Sequence, residues 1–130
     1  MLNPVFFGGD ISALDYGRIG AIIGHEITHG FDANGKNYDE EGIMVNWWSA
    51  ETATSFSERT ACFVEQYSKY YIDEIDVYVD TSKTLNENLA DNGGVRAAYR
   101  AFKKLENRSR SLKTVANFTP EQLFFIGFGT

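Results

Sequence analysis

The sequence predicts a mainly α-helical chain with one short hairpin or extended segment. Three observations carry this. Apolar residues recur at a 3.6-residue period in long stretches, helix-capping signals open several of those stretches, and paired turn residues separate them. The 130 residues fit within one domain at ~150 residues per domain, and with 43% hydrophobic and 15% aromatic residues they can form a buried core. No repeat, low-complexity tract or linker divides them.

Ser12 and Asp15 resemble a capping box with Asp in place of Glu, and Ile19, Ile22, Ile23 and Ile27 follow at helical spacing. A helix over Ala13 to Phe31 is expected despite Gly17, Gly20 and Gly24. Each glycine costs about 1 kcal/mol relative to Ala, so close packing against another helix is expected. Asn34-Gly35 and Glu41-Gly42 then bracket room for a short hairpin. A second helix starts near Ser49, and Phe56, Thr60, Phe63, Val64, Tyr67 and Tyr71 trace what reads as its core-facing stripe. Ile75, Val77 and Val79 alternate with acidic and polar neighbours, as in an edge strand or extended connection. A third helix is expected from about Thr84 to Leu105, burying Leu89, Ala97, Ala98, Phe102 and Leu105. Thr119-Pro120-Glu121-Gln122 announces a fourth, with Thr as cap and Pro at the first helical position. The apolar run Leu123 to Phe128 reads as a chain cut off in mid-structure.

Composition excludes several classes of function. Twelve basic against 18 acidic residues give a net charge of −6, which would repel a nucleic-acid backbone. No apolar run approaches the ~20 residues of a membrane-spanning helix, and Met1 to Phe7 lack the basic start of a signal peptide. A lone Cys62 rules out an internal disulfide and reads, by itself, as a small buried hydrophobe. Asn107-Arg108-Ser109 and Asn117-Phe118-Thr119 would permit glycosylation in a secretory compartment.

The chemistry concentrates in His25-Glu26-Ile27-Thr28-His29, an HExxH motif on a predicted helix. Four residues is just over one turn, so both imidazoles share a face and can hold one metal ion. With two His and ten Glu in the chain, shuffling would produce this pattern roughly once in a thousand arrangements. Zinc would need a third protein ligand, leaving a fourth position for water in a catalytic site. Glu87-Asn88-Leu89-Ala90-Asp91 offers two carboxylates on one helical face: one to bind metal, the other to accept a ring N–H of a ligand histidine. Glu87 could instead merely close a capping box with Thr84. Glu26 can reach a zinc-bound water, whose pKa falls to about 7, and take its proton during attack on a peptide carbonyl. A zinc deaminase would need cysteine ligands that one Cys cannot provide.

Gly24-His25-Glu26-Ile27-Thr28-His29-Gly30-Phe31-Asp32, Asn46-Trp47-Trp48, Glu87 to Gly94 and Gln122-Leu123-Phe124-Phe125 together resemble the neprilysin and endothelin-converting-enzyme family of zinc endopeptidases. The resemblance covers nearly the whole chain and implies a thermolysin-like zincin catalytic core cleaving oligopeptides. It implies one Zn2+ held by His25, His29 and Glu87, with Glu26 as catalytic base and Asp91 and Asp32 each supporting a ligand histidine. Leu89 stands where the family has Ile, a swap expected to be silent. Family members carry an Asn-Ala segment upstream, and an Arg and a His downstream, that engage substrate and the tetrahedral intermediate. None lies within residues 1–130, which are therefore expected to be a partial metallopeptidase catalytic domain whose partners are a peptide and the rest of the full-length domain. The resemblance also implies a disulfide partner for Cys62 outside this chain. The full-length protein is expected to be secreted or to sit on the extracellular face of the plasma membrane. A catalytically inert zinc-binding fragment or isoform that binds peptides or partners is the other reading left open.

Overall fold

The computed structural model describes residues 12–108 and 115–130, with the side chains of Asn107 and Arg108 not described. The expectations for Met1 to Phe7 and for the Asn107 sequon fall outside the described residues. Among the described residues there are five α-helices, α1 (Ser12–Asp15), α2 (Ala21–His29), α3 (Ala50–Tyr67), α4 (Thr81–Arg108) and α5 (Pro120–Phe128), and one two-stranded antiparallel sheet. The mainly helical expectation holds. No described helix is long and apolar enough to cross a membrane.

The described residues fall into two compact units, one of residues 12–28 with 91–108 and 115–130, the other of residues 29–90. The first holds the core: Ala13, Ala21, Ala98, Phe102, Leu123 and Phe124 are buried together, with Leu14, Tyr16, Val95 and Tyr99 packed around them. Phe102 stacks on Phe124 at 5.6 Å between ring centroids, and Tyr99 meets Phe124 edge-on at 5.2 Å, separations suited to aromatic pairing. Ala97 of the expected α4 stripe is exposed, and Leu89 and Leu105 are only half-buried.

α1 runs into α2 through a π-helical turn, Tyr16–Gly20. Ser12 is already helical, so it is not the expected cap. The isoleucines do not form the packing face of this run. Ile19 is buried, but Ile22, Ile23 and Ile27 are 45%, 48% and 65% exposed, whereas Ala21 and Gly24 are buried. The small residues win because α2 approaches α4 backbone to backbone. A Cβ on Gly24 would stand 2.7 Å from the Gly94 carbonyl oxygen, and one on Gly94 2.5 Å from the His25 amide nitrogen. The packing expected of the glycines is real at Gly24 and at Gly17, where a Cβ would run into the Phe124 carbonyl oxygen of α5. At Gly20 an added Cβ would make an ordinary 3.6 Å contact with Ala98.

In the second unit, Gly35–Asn37 forms a 3-10 turn, and a single antiparallel bridge, Tyr38 to Met44, closes the expected hairpin with Gly42 at φ +76° near its tip. α3 begins where Ser49 caps it, the Ser49 hydroxyl accepting from the Thr52 amide. Its stripe is not core: Phe56, Thr60, Phe63 and Tyr67 are half-buried, and Val64 and Tyr71 are exposed. Cys62 on this helix is exposed, with its thiol 2.9 Å from the Arg59 carbonyl oxygen, so the buried-hydrophobe reading fails. β1 (Tyr71–Ile72) pairs with β2 (Val77–Tyr78). The expected strand is thus half of a small hairpin, its turn passing through Asp76 at φ +58°.

α4 starts three residues earlier than expected. Asp80 supplies the cap, accepting from the Ser82 amide and hydroxyl. α5 forms as expected: Thr119 accepts from the Gln122 amide while the Gln122 side chain accepts from the Thr119 amide.

Candidate metal centre

His25 and His29 are one turn apart on α2, so helix geometry alone sets their spacing. Each ring is held by a carboxylate. His25 Nδ1 lies 2.8 Å from Asp91 Oδ1, and His29 Nδ1 lies 2.7 Å from Asp32 Oδ2. An ionised carboxylate only accepts hydrogen bonds, so each Nδ1 donates its proton, and in the neutral imidazole this leaves the lone pair on Nε2. That is the tautomer a metal-ligating imidazole needs when its other nitrogen is oriented by an acid.

The two supports differ. Asp32 is 4% exposed, and while its Oδ2 takes the His29 proton, its Oδ1 accepts the amides of Asn34 at 2.8 Å and Gly35 at 2.7 Å. Burial pushes the Asp32 pKa up, but the hydrogen bonds from the Gly35 amide, His29 and the Asn34 amide outweigh it and hold the carboxyl below its ordinary value. Gly35 is required here, because any side chain would run into the His29 carbonyl as the chain folds back. Asp91 meets His25 at the surface, with its side chain 56% exposed.

Glu87 completes the group. Its Oε1 lies 3.6 Å from His29 Nε2, within the second unit. One donor atom from each of His25, His29 and Glu87 falls within 4.8 Å of the others. A tetrahedral ion with bonds of about 2.0–2.1 Å sets its ligands roughly 3.3–3.4 Å apart, so the 3.6 Å separation fits one ion bridging the His29 and Glu87 donors. The nitrogen and carboxylate donor set suits zinc chemistry.

The alternative role of Glu87 disappears. Thr84 lies inside α4, its hydroxyl donating to the Asp80 carbonyl and accepting from the buried Asn88 amide, so it opens no capping box. Asn88 and Ala90 point inward while Glu87 and Asp91 stay exposed, the alternation the four-residue spacing implies. Glu26 is exposed on α2.

Two contributors to the site were not singled out from the sequence as individual residues. Gly94 admits the backbone of α2 at His25, and Gly35 admits the turn that delivers two amides to Asp32. The signal for the first was present in Gly93-Gly94, a pair that costs about 2 kcal/mol in mid-helix unless close packing demands it.

A helical core in which an HExxH helix lies against a second helix bearing a carboxylate pair is the catalytic-core fold of a zincin. The chain belongs to peptidase family M13, whose sequence profile matches residues 1–130. It is 45% identical over 132 residues to Neprilysin-11 of Caenorhabditis elegans, a match covering 98% of this chain and 16% of that protein. It is 46% identical over 132 residues to human Membrane metallo-endopeptidase-like 1, covering 98% and 17%. Among solved structures, the zinc metalloprotease Zmp1 of Mycobacterium tuberculosis, crystallised with an inhibitor, superposes with a TM-score of 0.87 at 37% identity, covering 98% of this chain and 20% of that one. The chain thus spans a fifth or less of the length of these relatives.

Proposed function

We propose that this chain is the metal-binding segment of a zinc metalloendopeptidase that hydrolyses peptide bonds of oligopeptides, with His25, His29 and Glu87 as zinc ligands. The observation that carries the reading is the pair of Nδ1–carboxylate hydrogen bonds, which leave both histidine lone pairs on Nε2, with Glu87 3.6 Å from one of them. When bound there, zinc supplies Lewis-acid polarisation of the scissile carbonyl and of the attacking water.

The chain's own residues do the rest. Glu26 follows a ligand histidine, so its carboxylate is directed about 100° around the helix from His25 and accepts the proton of the attacking water rather than ligating. It then returns that proton to the departing amine. Asp32 and Asp91 keep His29 and His25 in the ligating tautomer and fix the ring planes. Asp32 does so from a buried position in which two backbone amides and the His29 ring already hold its carboxylate.

The likeness to relatives with neprilysin and membrane metallo-endopeptidase names supports peptides as substrates and an extracellular or cell-surface setting for the full-length protein. Glu26→Gln in the full-length protein tests the mechanism: bound zinc is retained and peptide hydrolysis is lost. Hydrolysis at the wild-type rate would remove Glu26 as the base, and loss of zinc would make it a ligand.

A further inference from the structure

A cleft of about 490 Å3 lies in the second unit, where the chain leaves α2. Gly30 and Phe31, which directly follow His29, form one wall. Tyr38 and Trp47 form another, and Asp39, Glu40 and Glu41 of the hairpin tip line the remainder. The aromatic wall is pinned, since the Trp47 indole N–H donates to the Tyr38 carbonyl at 3.0 Å. The acidic tip is shaped by Asp39, whose Oδ1 accepts the amides of Glu41 and Ile43 at 3.1 and 2.8 Å. Glu40 and Glu41 are exposed.

No lysine or arginine lines the cleft. The neighbouring Lys36 is held elsewhere, 5.8 Å from the ring centroids of Trp48 and Phe56. Three aromatic rings and three carboxylates around one concavity suit a cation on an apolar stem: the rings attract it through their faces, and the carboxylates accept its N–H groups. An acidic side chain would meet only like charge. The geometry points to this cleft as a subsite for an arginine or lysine side chain of a bound peptide, adjoining the metal helix at its C-terminal end. The identity of the ligand as a peptide rests on the peptidase reading, whereas the preference for positive charge rests on the cleft itself. Exposed charge pairs of this kind contribute modestly, so the two glutamates together account for roughly a 3- to 10-fold gain in affinity.

The test is a fluorescence titration of the chain with acetyl-Phe-Arg-amide, acetyl-Phe-norleucine-amide and acetyl-Phe-Glu-amide, in the presence of a chelator so that neither zinc nor turnover contributes. The arginine peptide is expected to bind tightest and the glutamate peptide weakest. Glu40→Gln combined with Glu41→Gln should weaken the arginine peptide 3- to 10-fold and leave the norleucine peptide unchanged, and 0.5 M salt should do the same. Trp47→Phe should remove the fluorescence change while circular dichroism stays that of a folded chain. Equal binding of the arginine and norleucine peptides, or an unchanged affinity in the double glutamine variant, would overturn the assignment. Zinc binding measured on separate, chelator-free samples of the same protein keeps the two readings separable: charge-selective binding without a zinc site would sink the peptidase reading and leave the cleft standing.

Discussion

Asp32→Asn is the most informative single change at the metal centre, because the structure lets its effect be worked through atom by atom. The carboxylate divides its oxygens, Oδ1 taking the Asn34 and Gly35 amides and Oδ2 taking the His29 ring proton. An amide has one acceptor and one NH2 group, so one side must fail. If the amide oxygen stays with the two backbone N–H groups, its NH2 opposes Nδ1–H of His29, and the imidazole escapes only by moving its proton to Nε2, the nitrogen that would face zinc. If the amide flips, two buried backbone donors face another donor at a cost of about 1–3 kcal/mol each. The first arrangement is cheaper, so the fold survives and metal binding suffers. Zinc affinity should fall about 10- to 100-fold, equivalent to about 1.4–2.7 kcal/mol. Asp91→Asn should behave differently: at 56% side-chain exposure it can turn its carbonyl to His25 and its NH2 to water, so the loss should stay within about threefold. Competition against a chromophoric chelator gives both affinities, and thermal unfolding checks the fold. Equal losses in the two variants, or wild-type affinity in Asp32→Asn, would refute the reasoning.

Other perturbations probe the scaffold. Gly24→Ala places a Cβ 2.7 Å from the Gly94 carbonyl and should destabilise by about 1–3 kcal/mol, whereas Gly20→Ala, with ordinary contact only, should be neutral or stabilising by up to about 1 kcal/mol; thermal melts separate them. Phe102→Ala removes a fully buried ring from the core and should cost about 3–5 kcal/mol in urea unfolding. Lys103 pairs with Glu106 and, across to α5, with Glu121 at 2.8 Å. Its ammonium holds the Glu121 carboxyl below the ordinary 4.5, while the hydrogen bonds to Glu106 and Glu121 push the lysine above its usual 10.5. The depressed acid contributes stability above pH 4.5 that is lost as pH falls through its lowered value, and the raised base contributes below pH 10.5 until pH rises through its own. The melting-temperature gap between wild type and Lys103→Met should therefore be widest between those limits and close in acid.

Where local chemistry decides, the sequence was legible. The Thr119–Gln122 box caps its helix as read, because a cap depends on residues three positions apart, and the second helix begins beside Ser49 as expected. The HExxH spacing and the Glu87–Asp91 pair needed only helical periodicity. Burial was less legible, since it depends on what lies opposite. Ile22, Ile23 and Ile27 looked like a packing face, but the helix turns its Gly24 side to α4 because only a glycine permits that approach. The aromatic stripe of α3 shows the same limit: periodicity finds an apolar face without saying what covers it. The start of α4 was missed because Thr84 and Asp80 are both capping residues four apart, and the contest went to Asp80, which serves Ser82 twice.

The central claim, that His25, His29 and Glu87 together hold one zinc ion, is tested most directly by zinc titration with X-ray absorption on the loaded protein. One ion per chain is expected, bound by two imidazole nitrogens at about 2.0–2.1 Å and a carboxylate oxygen at about 2.0–2.2 Å, with Glu87→Ala losing the oxygen and most of the affinity. Zinc bound by Glu87→Ala at wild-type affinity, or a spectrum without two imidazoles, would contradict it.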